Sequence, residues 1–554
     1  MTDQTSGNSR VAFVFALVVG LLGVGAQASA TQEWFVATGG TGEGSDAAPF
    51  GSIQAALNVA QSGDTITVRP GTYAELLTSV HGGSAGAPVT LRSANGRGSV
   101  VVASSGQVLR VSHPYIVVDG LVFDGLFAPV DAVRLTSDAD FFVLRNAEVR
   151  RAGRDCIDMA GPGGVLIEKS SINHCLWWDG ARQDAHAIVA GAVRNLTLSE
   201  LDIHTFSGDG LQLDPGRSLP GWDNVVIERS SFRLIPLAAP QNGFPAGVVP
   251  GENAIDTKTN PAAPRGRMTI TDTTAEGFGG GLITNMAAFN LKEQVDVTVN
   301  RVTVSRSEIA FRVRGPGANG GAWVRVQNAV MHDVTTGFRY EDEIEVLDVA
   351  FTTFGGNVTS PFRAASSGWG GVTVANTIVL GTSLPQEAPV AAGNLAVSTA
   401  SFVHAVAHDY RLQVGSPAID AAGLKPDVAT DRIGTVRPQG PASDVGAYER
   451  VVAMSPPVLT VPAVPTQLTA VSQLAGANAS TALAWRDNAT NEARVEVQRS
   501  QDGATFSTRA TLAANATTFV DTAVGRRTRY WYRVRAVNDA GASAYSTAVS
   551  VKTK

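Results

Sequence analysis

In the stretch Gly251-Glu252-Asn253-Ala254-Ile255-Asp256-Thr257-Lys258, a carboxylate and a lysine stand two residues apart. Read as a strand, its side chains alternate, so Asp256 and Lys258 share one face and Ile255 and Thr257 share the other. An earlier stretch, Gly208-Asp209-Gly210-Leu211-Gln212-Leu213-Asp214, has the same shape. With Leu211 set over Ile255, Gln212 falls beside Asp256 and Asp214 beside Lys258. Adjacent strands of one sheet lie about 4.8 Å apart, so Asp209, Asp214, Glu252 and Asp256 would crowd around a single amine.

An amine so placed points to proton abstraction. A uronate sugar carries an acidic hydrogen next to its carboxylate, and removing it takes a base and a cation that stabilises the developing charge. Lysine can be that base when a nearby cation or desolvation lowers its pKa, whereas carboxylates alone push it up. The cluster therefore calls for a bound metal, and its all-oxygen ligands, Asp209, Asp214, Glu252 and Asp256, specify calcium. The bland reading is an exposed lysine paired with Asp214 and Asp256, which contributes little to stability.

A second set lies upstream, at Asp184-Ala185-His186 and His204-Thr205-Phe206-Ser207-Gly208-Asp209. His186 and His204 are candidates for acid/base work, or for lining a sugar cleft with Gln212, Trp177, Trp178 and Trp222. Taken singly, each is as readily explained by packing at a turn. A glycoside hydrolase would use two carboxylates at a defined separation, with Asp155, Asp158 and Asp209 as candidates. A third possibility is a chain that binds glycan without cleaving it.

These residues need elements that bring them together, and the chain supplies a repeat. VVDGLVF at 117–123, VLIEKSSI at 165–172, LTLSELDI at 196–203, VVIERSSF at 225–232, MTITDTTA at 268–275 and VDVTVNRV at 295–302 are copies of one pattern. Most recur at the spacing of a solenoid coil. Shorter strands of D-x-I-x-h type, at Asp155-Cys156-Ile157-Asp158-Met159, at the Asp209 and Asn253 stretches and at Ile309 to Val313, lie between them. One coil cannot bury its apolar face, but its neighbours can, which predicts Ile157, Leu211 and Ile255 as core. The long interval between Ile227 and Ile270 holds Pro236, Pro240, Gly243, Pro245, Gly247 and Pro250 and reads as a loop thrown out before the lysine strand.

The opening of this region pairs a helical period at 53–60 with the turn Pro70-Gly71-Thr72-Tyr73. It resembles the N-terminal cap of secreted right-handed parallel β-helix proteins. Tyr410-Arg411-Leu412, residues 415–423 and residues 444–449 resemble the closing segment of such proteins. The lysine strand is similar to that of family 9 pectate lyases, A-D-G-F-A-x-K, with Asn253-Ala254 where that pattern has Asp-Gly. It is comparably similar to the chondroitinase and alginate lyase type, in which a Glu-rich strand ends in lysine and an arginine lies nearby. The first resemblance implies aspartate-bound calcium and a lysine base, and the second implies Arg265 or Arg267 as the acid. After a Pro-rich linker at 451–464, Leu468-Thr469-Ala470, Ala484-Trp485 and Tyr530-Trp531-Tyr532-Arg533-Val534-Arg535-Ala536-Val537-Asn538 resemble a fibronectin type III domain, which implies a spacer or adhesive module. The expected architecture is all-β: a right-handed parallel β-helix over 31–450 and a β-sandwich over 465–554.

Composition agrees. The 58 glycines and only 17% charged residues suit a turn-rich β protein, and a net charge of −6 offers no basic patch for nucleic acid. Arg10, the apolar run from Val11 to Val24 and Ala28-Ser29-Ala30 form a secretory signal over 1–30, with Thr31 as the mature start. No later stretch is apolar enough to cross a bilayer. The expectation is an exported, soluble monomer whose partner is an acidic polysaccharide. Cys156 and Cys175 are either a disulfide or two buried thiols.

Overall fold

The structure is a computed structural model that describes residues 31–180, 184–216, 220–315, 320–365, 371–381, 383–451, 460–475 and 478–554. The expected signal segment 1–30 and most of the linker lie outside the described residues. The chain divides after Arg450 into two compact units.

The first unit is a parallel β-solenoid of about eleven turns. Each turn contributes to three parallel walls. The first wall is a thirteen-stranded sheet from Glu33–Val36 to Val372–Ala375. The second contains Ser171–Cys175, Asp202–Phe206 and Ser231–Arg233. The third contains Ile157–Met159, Ile188–Ala190, Leu211–Leu213, Ile255–Thr257 and Ala287–Lys292. Further along, the second and third walls run through single strands of twelve residues, Thr303–Arg314 and Val330–Glu341.

The repeat read as one strand is two strands and a corner. Asn146, Lys169, Glu200, Arg229, Asp272, Arg301 and Asn328 occupy successive corners between the first and second walls, all with φ between 49° and 56°. A side chain in the left-handed region is strained, and at two of these corners the bend is held by the residue after it. Ser170 Oγ accepts from Ala147 N of the preceding turn at 3.0 Å, and Ser230 Oγ accepts from Leu201 N at 3.1 Å. These two serines thus satisfy backbone donors that the bends leave open.

Inside, residues of like kind stack. Ile157, Ile188, Leu211 and Ile255 are in register and fully buried, as expected for the three that the repeat singles out. The same column continues as Phe289, Phe311, Phe338 and Phe362, with successive ring centroids 4.9, 4.9 and 5.3 Å apart. The helix Ile53–Val59 packs Ile53, Ala56 and Leu57 into the core at the first turn, and Ser52 Oγ caps it by accepting from Ala55 N. At the other end Phe402, Tyr410, Leu412, Ala418 and Val445 form a second core with Val330 and Ile378. That segment is locked by the buried Arg437 guanidinium, which donates to Glu449 and to the Asp444 and Gly446 carbonyls. Cys156 and Cys175 are joined in a disulfide between the third and second walls.

The second unit is a β-sandwich. One sheet holds Thr466–Ala475, Asn478–Arg486 and Thr518–Asp521, and the other holds Ser507–Ala513, Arg494–Ser500, Arg529–Asn538, Gly541–Ala542 and Val549–Lys552. Leu468, Leu483, Trp485, Val495, Val497 and Tyr532 form its core. Tyr530 also lies there, and its hydroxyl accepts from Gly525 N at 3.0 Å, a hydrogen bond back to a residue upstream that fixes the corner of such sandwiches.

Phe311 has an aromatic neighbour above and below, so Phe311→Ala should cost about 3–5 kcal/mol, read as a lower denaturant midpoint of the solenoid transition. Reducing the Cys156–Cys175 bond, which closes a short loop, should cost about 3 kcal/mol, seen as a fall in thermal midpoint on adding reductant.

Candidate active site on the third wall

The turns align as the overlay requires: Leu211 pairs with Ile255 and Gln212 with Asp256. The Lys258 ammonium lies 3.2 Å from Asp214 Oδ2, with the two side chains 39% and 33% exposed. The Lys258 main chain is fastened on both sides. Its N–H donates to Leu213 O, and its carbonyl accepts the Trp222 indole N–H at 2.8 Å. Burial would depress the amine, but Asp214, Asp256 and Asp209 outweigh it and raise its pKa above the ordinary lysine value. Lys258 is therefore an ammonium at neutral pH.

Beside it lies a buried polar network. His186 Nδ1 faces Asp155 Oδ1 at 3.0 Å, and Nε2 faces the Gln212 amide at 2.7 Å, Asp184 at 3.4 Å and Asp209 at 3.5 Å. Burial opposes charge on the ring, yet Asp155 and Asp209 overcome it and carry the imidazole up to about 10. The Gln212 amide nitrogen alone would favour a bare Nε2. The carboxylates of Asp155 and Asp209 outweigh that one neutral group. Nδ1 keeps its proton on Asp155 in either charge state, so the proton that comes and goes sits on Nε2. Asp209 is held low: burial opposes this, but His186, Gln212 and Asn253 all stabilise its charge.

Two carboxyls are pushed the other way. Burial, aided by Asp209, raises Glu252 to about 7, and no hydrogen-bond partner of its side chain is seen among the described residues. Burial and Asp209 raise Asp256 to about 6 against the pull of Lys292, whose ammonium is 2.8 Å from Asp256 Oδ1. The carboxylates do not make a calcium cage. Asp209 accepts from Asn253 and Gln212, Asp214 from Gly216 N and Lys258, and Asp256 from Asn290 and Lys292. The described residues that bring three ligand atoms within 4.8 Å of one another are His332, Asp333 and His408, not these four.

The other residues expected at the site lie elsewhere. Trp222 is buried in the core, where it props the lysine strand from within and shows no face to a sugar. Trp178 stacks on Phe244 in a small core with Leu176 and Leu237, which anchors the long loop. Trp177 is half-buried beside it, its backbone N–H on Ser207 Oγ. His204 belongs to the second wall, between Asn173 and Arg233 in register and edge-on to His174. Arg267 is on the first wall, paired with Asp223. Arg265 turns away to the carbonyls of Val295 and Gly321, over the Trp323 ring. Neither arginine stands beside Lys258 on the third wall, because the chain rounds a corner directly after the lysine. Of the hydrolase candidates, Asp158 is paired with Arg134, and Asp155 is committed to His186.

The wall also carries a basic row that the motif reading missed. Asp256 is followed in register by Asn290, Arg312 and Arg339, and Lys292 by Arg314. Arg312, Arg314 and Arg339 converge on the buried Glu341 carboxylate at 2.7, 2.9 and 3.1 Å. The signal was present as a phenylalanine followed by polar-apolar-polar residues, in Phe289 to Lys292, Phe311 to Arg314 and Phe338 to Glu341.

No known family profile matches the chain, and no curated protein matches it. Among solved structures, a Fn3-like protein from Clostridium thermocellum is 30% identical over 17% of this chain and 96% of that chain, with a TM-score of 0.15. The sixth fibronectin type III domain of human fibronectin type III domain containing protein 3 is 15% identical over 17% of this chain and 87% of that chain, with a TM-score of 0.15. A beta-1,2-glucanase from Parabacteroides distasonis is 26% identical over 17% of this chain and 14% of that chain, with a TM-score of 0.13. The C-terminal β-sandwich of this chain is fibronectin type III-like.

Proposed function

We propose that the third wall binds an acidic, uronate-containing glycan and cleaves it by β-elimination, in an exported protein. The observation that carries the reading is one wall that holds an ammonium, Lys258, a carboxyl of pKa about 7, Glu252, on the same turn, and an imidazolium, His186, two turns away. Lys258 and Lys292 hold the uronate carboxylate and stabilise the charge that develops on it. Glu252, as the carboxylate, takes the proton next to that group, being a carboxyl matched to neutral pH. The electron pair left behind forms the new double bond as the glycosidic bond breaks, and the leaving oxygen takes a proton from His186 Nε2. In this assignment Lys258 is the cation and not the base, because its neighbours raise its pKa. The basic row from Lys292 to Arg339 supports a polyanion lying along the same wall. The disulfide supports export, since such bonds persist in oxidising compartments.

The test is incubation with pectate, alginate and glycosaminoglycans, following the ultraviolet absorbance of unsaturated uronate ends. Glu252→Gln should lower the rate about 10²–10⁴-fold, and Lys258→Ala should abolish it, while Lys258→Arg, which keeps the charge, retains a measurable fraction. A dead Lys258→Arg beside an active Glu252→Gln would make Lys258 the base. New reducing ends without unsaturation would make the protein a hydrolase, and retardation on glycan gels without product would make it a binder.

The rate should rise as pH passes upward through about 7, where Glu252 loses its proton. The same group leaves a mark on stability. Its folded pKa lies above the unfolded value of about 4.3, so the folded state binds more protons between the two and stability falls as pH rises across that window. Glu252→Gln should remove that fall, measured as the difference in denaturant midpoint between wild type and variant from acid to mildly alkaline pH.

A further inference from the structure

A second constellation lies at the far end of the solenoid, away from the wall just described. His332 and Asp333 stand on the strand Val330–Glu341, and His408 follows the short turn Ala405–Ala407 in the closing segment, between Phe402–His404 and Asp409–Leu412. His408 is remote in sequence from the other two, yet both imidazoles converge on one carboxylate: Asp333 Oδ2 lies 2.8 Å from His332 Nδ1 and 3.4 Å from His408 Nε2. The two imidazoles stack with centroids 3.9 Å apart.

We propose that His332, Asp333 and His408 bind a divalent transition-metal ion, with zinc the best match, which fastens the closing segment to the end of the solenoid. Two imidazoles and one carboxylate are the ligand types that zinc takes, and three protein ligands leave a fourth tetrahedral position for water. The groups behind them are arranged as a metal site requires. The other ring nitrogen of His408 lies 3.2 Å from the Tyr410 hydroxyl, which is itself held by Gly356 N at 2.8 Å. The second oxygen of Asp333 accepts from Asn357 Nδ2 at 2.6 Å. Each of these two ligands thus has its spare atom engaged and its ligating atom turned inward. The His408 side chain is 41% exposed, so an ion can enter from solvent. The plainer account is a hydrogen-bonded cluster in which two histidines share one carboxylate oxygen. A cation at the convergence point would satisfy all three ligand atoms at once, where the shared oxygen must serve two rings.

The test uses the full chain with any affinity tag removed. Calorimetric titration with Zn²⁺ should give one equivalent bound, and Co²⁺ should give the visible absorption of a tetrahedral site. The thermal midpoint should rise with Zn²⁺ and return on adding chelator. His408→Ala and Asp333→Asn should each abolish that binding, Asn357→Ala should weaken it about tenfold, and His404→Ala, altering a nearby exposed histidine outside the cluster, should leave it intact. Absence of saturable binding in the wild type, or equal binding in the folded His408→Ala protein, overturns the proposal.

Discussion

The rest of this molecule depends on rung-to-rung register. A parallel stack has no side-chain geometry of its own until each turn is held at one setting over the next, because a slip of one residue would send every inward side chain outward. Here the setting is held twice. At two of the corners, a left-handed residue is succeeded by a hydroxyl that catches the backbone of the turn before, Ser170 and Ser230. Inside, the isoleucine-to-phenylalanine column leaves no room for a shifted ring. Lys258 reaches Asp214, and Gln212 reaches His186, only because both devices agree.

Given that register, electrostatics does the sorting. Acidic groups packed a turn apart cannot all stay ionised. Asp209 keeps its charge because His186, Gln212 and Asn253 surround it, and Glu252 and Asp256 are pushed up by the same proximity. One stretch of wall therefore holds carboxyls of sharply different acidity, the condition under which acid and base roles separate. Toward the next turns the sign changes, as Lys292, Arg312, Arg314 and Arg339 take over the outward positions.

The fold was legible because its devices recur in the sequence. The polar residue at each corner, the alternating apolar positions and the Pro-Gly-Thr-Tyr turn each leave a trace at a fixed offset. The site was legible only along one wall. Asp214, Gln212, Asp256 and Lys258 could be aligned because their strands share a shape. The rung at Ile188 to Ala190 is silent in the sequence because its outward residue is Val189 and carries no charge to flag it. Lys292 is hidden in Ala287–Lys292, where small buried residues blur the alternation. Nearness in sequence misplaces Arg265 and Arg267, because the chain turns a corner between them and the lysine. Trp222 has the composition of a platform, but Gly266 leaves its ring a place in the interior that any side chain there would fill.

Both ends of the coil are sealed, by the amphipathic helix Ile53–Val59 at one and by the Arg437-locked segment at the other. An open rung presents a row of unpaired backbone groups that would recruit another molecule. With each terminus plugged by a structure that fits only there, the body can gain or lose length only from within. Duplicating an internal coil would leave both plugs in place and extend the charged wall by one step, so the reach of that wall along a polymer can change without redesigning either end.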